Sequence, residues 1–390
     1  MYRSAISAVV QFFSEANNAR HWFTANTTLV ILGYKTINLD LIVDEGGLYI
    51  IRKLLLFSDE HIMSFSLSAL NNLILRNQSD KDVQNALFHI FKKGCTKFQI
   101  RALFAISKFI KDKDALYYLL FKDKALELLL KVLSDKNLFQ YEDKCILSLC
   151  GIYQKIQDTR IREMRYQISN CEQSLKIRSP ANCSYVKCNF DFEFVVDNGA
   201  KILACREKLC TNSDYFKALL EGSFLEKNMK CIRLRDITEN VLLVIVHFLH
   251  GCVTNPVICD NLNLISFEEM LELLAKCDEY MLFDLKASVE NALSLCFSKQ
   301  TVINIYQFSK LYDSKKLITE STDFVLSMDT NERDALLICF REMLHHGFLK
   351  DVELRMKHCY TDYIALPNKR KPQIFLARRQ FKKNMSNLKR

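Results

Sequence analysis

DFEFVVDNGAKILAC, residues 191–205, alternates apolar and polar side chains over Asp191–Val196 and again reads as a strand over Ala200–Cys205. Between the two runs, Asp197-Asn198-Gly199 has hairpin chemistry, because glycine accepts the positive φ of a tight reversal. Downstream, Cys231-Ile232-Arg233-Leu234-Arg235 alternates in the same way and predicts a further half-buried strand. The stretches around it carry helical spacing instead: Ser213–Glu221, Glu239–Leu249, Phe267–Met281 and Leu285–Cys296. A small sheet with helices packed on it predicts an α+β domain.

The 390-residue chain around this core is 49% hydrophobic and 25% charged, which excludes global disorder and leaves room for two or three domains. Only 9 Gly and 4 Pro occur, so the remainder is expected to be helical with short connections. The 15 cysteines are scattered and form no CxxC pair, a pattern that fits reduced thiols better than a secreted disulfide scaffold. The opening MYRSAISAVVQFF is weakly apolar with no clear cleavage site, so export is not expected. The apolar run Val241–Val246 is too short to span a bilayer.

The formal charge of +9 resides in the tail. From Pro367 onward, Lys369, Arg370, Lys371, Arg378, Arg379, Lys382, Lys383, Lys389 and Arg390 stand without an acid, and these nine equal the whole excess of 54 basic over 45 acidic residues. Residues 1–366 are therefore neutral, and nucleic-acid affinity is expected to be weak and confined to the tail. Lys369, Arg370 and Lys371 make a candidate nuclear import signal, for a protein expected in nucleus and cytoplasm.

The first 156 residues show recurring helix faces. Met63, Leu67, Leu70 and Ile74 form one apolar stripe, Ile100, Leu103, Ile106 and Ile110 a second, and Cys145, Leu149, Ile152 and Ile156 a third. Superposing the segments aligns Leu29, Leu70, Leu103 and Leu147, at steps of 41, 33 and 44 residues, the scale of a helical solenoid. Within Glu45–Ile74, Gly46-Gly47-Leu48, Leu54-Leu55, Ser58-Asp59 and Ala69-Leu70-Asn71-Asn72-Leu73 resemble an armadillo repeat. That resemblance implies a groove for a protein ligand, with Asn72 at the position where peptide-clamping members hold the ligand's main chain. Ile31, Ala105 and Leu149 occupy the aligned positions, so an asparagine ladder is not expected.

Residues 189–298 resemble the BTB/POZ domain, through DFEFVV, KLCTNSDYFKALLEGSF, KCIRLRD, VLLVIVHFLHG and LELLAKCDEYMLFDLKASVENAL in that order. TVINIYQFSKLYDSKKLITESTDFVLSM, residues 301–328, resembles the opening helices of a BACK extension. The expected architecture is mostly α: an armadillo-like α-solenoid over 1–156, a linker over 157–188, an α+β BTB/POZ domain over 189–298, BACK-like helices over 299–362 and a basic tail over 363–390. The resemblance implies a homodimer with Asp191 near its interface, and Ser184-Tyr185-Val186 is a candidate strand that adds to a partner's sheet. It also implies recruitment of cullin-3. Phe224-Leu225-Glu226, in GSFLEKNMKCIRLRD, fits the apolar-x-Glu turn of BTB proteins that bind cullin-3, and Tyr280 is assigned with it. A phenylalanine at the lip of a helix–strand turn, where burial would normally claim it, suits an interface anchor.

The function these features imply is an adaptor: a substrate-recognition subunit of a cullin-3 ubiquitin ligase, with the armadillo groove holding the substrate. By resemblance alone, that substrate includes the large subunit of RNA polymerase II. The alternative is a scaffold outside any ligase, or a transcription or chromatin regulator, dimerised through BTB. No GxxxxGK[ST], GxSxG or HExxH motif occurs, so no catalytic residue and no cofactor are assigned. His247 and His250 lie three apart with Cys252 and Cys259 nearby, yet their helix is apolar throughout, so packed histidines are expected rather than zinc ligands. Cys183/Cys188 and Cys205/Cys210 match no common zinc spacing, and His345-His346 is expected at the surface.

Overall fold

The computed structural model describes residues 2–15, 81–110, 112–157, 183–252 and 265–365, with isolated positions at 21, 24, 28 and 45. Asn72, the repeat motif over 46–74 and the tail with Lys369, Arg370 and Lys371 lie outside these residues. The chain divides into two compact units, one drawn from Met1–Asp158, Leu326–Leu337 and Val352–Arg390, the other from Thr159–Val325 and Ile338–Asp351.

The described part of the first unit is helix on helix. It comprises α1 (Tyr2–Glu15), α2 (Lys81–Lys93), α3 (Thr96–Phe109), α4 (Lys113–Tyr117, continuing as a π turn over Tyr118–Lys122), α5 (Ala125–Ser134) and α6 (Glu142–Ile156). The two predicted stripes in this region form its core: Ile100, Leu103 and Ile106 on α3 with Ile110 just past its end, and Cys145, Leu149, Ile152 and Ile156 on α6, are all buried. Leu147, aligned with Leu103 in sequence, is only half-buried. Lys155 on α6 donates to the carbonyls of Ser107 (2.6 Å) and Ile110 (3.0 Å), so one cation satisfies the free carbonyls at the end of α3. Segments from the far end of the chain join this unit. Gln154 donates to the Met328 carbonyl at 2.6 Å, Arg333 pairs with Asp143 at 2.8 Å, and the Tyr117 and Phe121 rings stack on Tyr363 and Tyr360. The helical packing is consistent with an armadillo-like solenoid.

The second unit is built on the predicted hairpin. β1 (Phe192–Val195) pairs antiparallel with β2 (Lys201–Ala204), and Gly199 turns between them at φ 84°. β3 (Cys231–Arg233) adds to the other side of β1 in parallel, giving the order β2-β1-β3. Alternation decides which face is buried: Phe192, Phe194, Ile202, Ala204 and Ile232 point into the core, whereas Lys201 bridges to Glu193 at 2.9 Å on the open face. Helices α7 (Arg206–Asn212), α8 (Asp214–Glu221), α9 (Glu239–Leu249), α10 (Phe267–Glu279) and α11 (Phe283–Ser294) complete the domain. Phe194 on the sheet meets Phe216 of α8 at 5.6 Å between ring centroids, and both are fully buried. Deleting either ring costs about 3–5 kcal/mol.

Beyond it come α12 (Val302–Leu311), α13 (Lys315–Leu326), α14 (Arg333–Leu344) and α15 (Phe348–Ala365). Tyr306, Phe340 and Phe348 form an aromatic core for the part of these helices that belongs to the second unit. No described helix is long and apolar enough to cross a membrane. The predicted strand Ser184-Tyr185-Val186 does not form: Tyr185–Lys187 is a 3-10 turn, closed by the Cys188 N–H on the Tyr185 carbonyl at 3.1 Å. The Tyr185 ring packs on His247 at 4.2 Å and His250 at 5.2 Å between centroids.

Candidate interaction surface

The segment between α8 and β3 carries Phe224, Leu225 and Glu226, the contact residues expected from sequence. Ser213 caps α8 by accepting the Phe216 N–H, and the helix ends at Gly222, whose N–H reaches the Ala218 carbonyl at 3.0 Å. A Cβ at Gly222 would lie 2.2 Å from that carbonyl oxygen, so only glycine fits the exit. The chain then makes a 3-10 turn over Leu225–Asn228, held by the Lys227 N–H on the Phe224 carbonyl and the Met229 N–H on the Glu226 carbonyl. On this turn Phe224 is 59% exposed, Leu225 82% and Met229 45%. Three large apolar side chains within six residues face solvent, as sequence predicted for Phe224. Glu226 is half-buried beside them.

Tyr280 has a different place. It is 2% exposed, so its side chain is not on the presented surface. Its ring packs on Tyr215 (4.7 Å) and Phe216 (5.4 Å) of α8, bracing from behind the helix that delivers the turn. Burial pushes the Tyr215 phenol up, helped by the charges of Glu279 and Glu226, which puts Glu226 within electrostatic reach of this aromatic pair. Tyr280 is thus a support, and its assignment as a contact residue is corrected by its burial.

A residue that sequence reasoning missed fixes the turn. Arg206, at the start of α7, donates to the carbonyls of Leu220 (3.1 Å), Lys227 (2.9 Å) and Met229. One guanidinium therefore ties the end of α8 to the far side of the exposed turn, a task its planar fork suits and a lysine cannot reproduce. Arg206 also lies over the Phe192 ring at 5.1 Å. Asp191 sets its backbone: the carboxylate accepts the Arg206 N–H at 2.8 Å, which caps α7. Asp191 is exposed in the single chain and engaged in this cap. In sequence the only sign was an arginine near a helix start, and nothing in its neighbourhood named three acceptors 14 to 23 residues away.

His250, expected to be a packed histidine, is buried and fully satisfied. Its Nε2 accepts the Cys205 N–H at 2.9 Å, so Nδ1 carries the proton and donates to the Val246 carbonyl at 2.7 Å. His345 and His346 are at the surface.

The BTB/POZ family matches residues 185–295. These residues form a BTB/POZ domain. The exposed turn and its Arg206 clamp thus belong to a domain that works by protein–protein contact. Over 62 residues, 16% of its length, the chain is 39% identical to mouse (Mus musculus) armadillo repeat-containing protein 5, covering 7% of that protein. Over 313 residues, 76% of its length, it is 21% identical to Armadillo BTB Arabidopsis protein 1 of Arabidopsis thaliana, covering 37% of that protein. The chain thus spans well under half the length of these curated relatives.

Proposed function

We propose that the chain is a non-catalytic adaptor that recruits cullin-3 through Phe224, Leu225 and Glu226 and holds a protein substrate on its helical N-terminal unit. The observation that carries the reading is the pair of exposed apolar residues on an otherwise rigid turn. Phe224 at 59% and Leu225 at 82% exposure are desolvated only by a partner, and the Arg206 clamp holds them in one conformation, which lowers the ordering cost of binding. The armadillo-BTB pairing in the name of the Arabidopsis relative supports a chain that brings two proteins together. Rate enhancement would come from the effective concentration of substrate lysines near the ligase, with no chemistry from this chain. A substrate of the kind implied by resemblance, the RNA polymerase II large subunit, and action in nucleus and cytoplasm belong to the same proposal. So does a homodimer through the BTB domain, which light scattering at micromolar concentration tests.

The deciding experiment is calorimetric titration of the full chain with the N-terminal region of cullin-3. Phe224→Ala is expected to weaken binding at least thirtyfold, about 2 kcal/mol, with the melting temperature unchanged because the ring contributes little to the core. Glu226→Lys is expected to act in the same direction. No binding by the unmodified chain, or full affinity in both variants, overturns the proposal.

A further inference from the structure

The second unit holds a cluster that the interaction reading does not use. Cys183, in the segment leading into β1, lies 64 residues before His247 and 69 before Cys252, yet the three side chains converge. Cys183 Sγ is 3.6 Å from His247 Nδ1 and 3.6 Å from Cys252 Sγ, and Cys252 Sγ is 3.7 Å from His247 Nδ1. All three residues are buried, at 6%, 4% and 5% exposure. We propose that Cys183, His247 and Cys252 bind a zinc ion.

The triangle has the dimensions of one face of a zinc tetrahedron. Zn–S bonds of about 2.3 Å and Zn–N bonds of about 2.0–2.1 Å at tetrahedral angles place two sulfurs about 3.8 Å apart and a sulfur and a nitrogen about 3.5 Å apart. The two sulfurs, 3.6 Å apart, are not joined in a disulfide, whose S–S bond is about 2.05 Å. The chemistry of the donors agrees: two thiols and an imidazole are soft ligands that select zinc over calcium or magnesium. Charge agrees as well. Two thiolates and a neutral imidazole around a divalent cation sum to zero, the condition under which a buried ionic cluster is tolerated.

His247 of α9 and His250, just past its end, have separate tasks. His250 spends both ring nitrogens on the backbone, whereas His247 turns Nδ1 to the thiols and is covered by the Tyr185 ring stacked at 4.2 Å. The ion fastens the leading segment of the domain onto the end of α9. That segment is otherwise held by the Tyr185 hydroxyl on the Leu203 carbonyl at 2.8 Å and the Ser184 hydroxyl on the Gly251 carbonyl at 3.4 Å.

The test is the metal content of the full chain, purified with a phosphine reductant and no chelator. About one zinc per chain is expected, and Cys183→Ser and Cys252→Ser are each expected to lose most of it. Cys188→Ser should retain it, because that thiol is turned to the Ser184 carbonyl. Loading the unmodified chain with cobalt(II) reads the same site without any variant. Intense d–d absorption of a tetrahedral thiolate complex is expected, as is a melting temperature that falls on chelation and recovers with zinc. An unmodified chain that holds no zinc and gives only the pale spectrum of octahedral cobalt overturns the proposal. Loss of metal in Cys188→Ser with retention in Cys252→Ser overturns the ligand set.

Discussion

Replacing Arg206 with alanine removes three hydrogen bonds to the carbonyls of Leu220, Lys227 and Met229 and the contact over Phe192. A hydrogen bond from a charged donor is worth about 1.5–3 kcal/mol when sheltered. Arg206 is half-buried and its acceptors sit near water, which rehydrates them once the side chain is gone, so about 0.5–1 kcal/mol per bond is the fitting figure. With the ring contact at about 0.5 kcal/mol, the loss comes to roughly 2–3.5 kcal/mol. For a domain of this size that lowers the melting temperature by roughly 8–14 °C, taking about 4 °C per kcal/mol. Calorimetry of the full chain reads the effect on the second unit. Amide exchange locates it, since the N–H groups of Lys227 and Met229, which close the turn, should exchange at least tenfold faster. Arg206→Lys should restore less than half, because an ammonium cannot span three acceptors with one fork. A melting temperature within about 2 °C of the parent for Arg206→Ala, with unchanged exchange at those amides, would refute the clamp.

Three further perturbations follow from the geometry. Gly222→Ala drives a methyl against the Ala218 carbonyl and should displace the turn, costing about 1–3 kcal/mol and altering the amide shifts of residues 223–229 in NMR spectra, whereas Ser223→Ala leaves both unchanged. Glu269 completes the capping box with Ser266 at the start of α10, and the Ser266 backbone N–H and the Asn240 amide hold its carboxyl below the ordinary value of 4.5. That stability is fully present above pH 4.5 and is lost as the pH falls through the lowered folded value; Ser266→Ala should cost about 1 kcal/mol at pH 7 in a denaturant titration. Tyr306 donates to the Asp351 carboxylate, which also pairs with Lys310 at 3.1 Å, so Tyr306→Phe should cost about 1–2 kcal/mol, and a neutral result in denaturant would show that Lys310 alone satisfies the acid.

Local pattern carried the α+β core. The alternation in DFEFVV and KILAC placed Phe192, Phe194, Ile202 and Ala204 on one face, and Glu239–Leu249 was delimited to the residue, since period and capping are properties of neighbouring positions. The buried stripes of α3 and α6 were legible for the same reason, and so was the exposure of Phe224, which follows a glycine at a helix end. Ser184-Tyr185-Val186 was a strand candidate that the structure turns into a 3-10 turn, its tyrosine ring packed on two histidines more than sixty residues away.

What the sequence determined by itself, then, is whatever residues one to four positions apart can settle: helices, a hairpin, a core face, a lip. Tertiary structure decided the rest, because hydrogen-bond acceptors and metal ligands are selected by position in space. Arg206 acquired its three carbonyls only when α7 folded beneath the turn, and Tyr280 became a support only when α10 closed over Tyr215. Cys183 came within 3.6 Å of both Cys252 and His247 only when the leading segment lay against the end of α9; along the chain no spacing joins the three, and folding supplies the proximity.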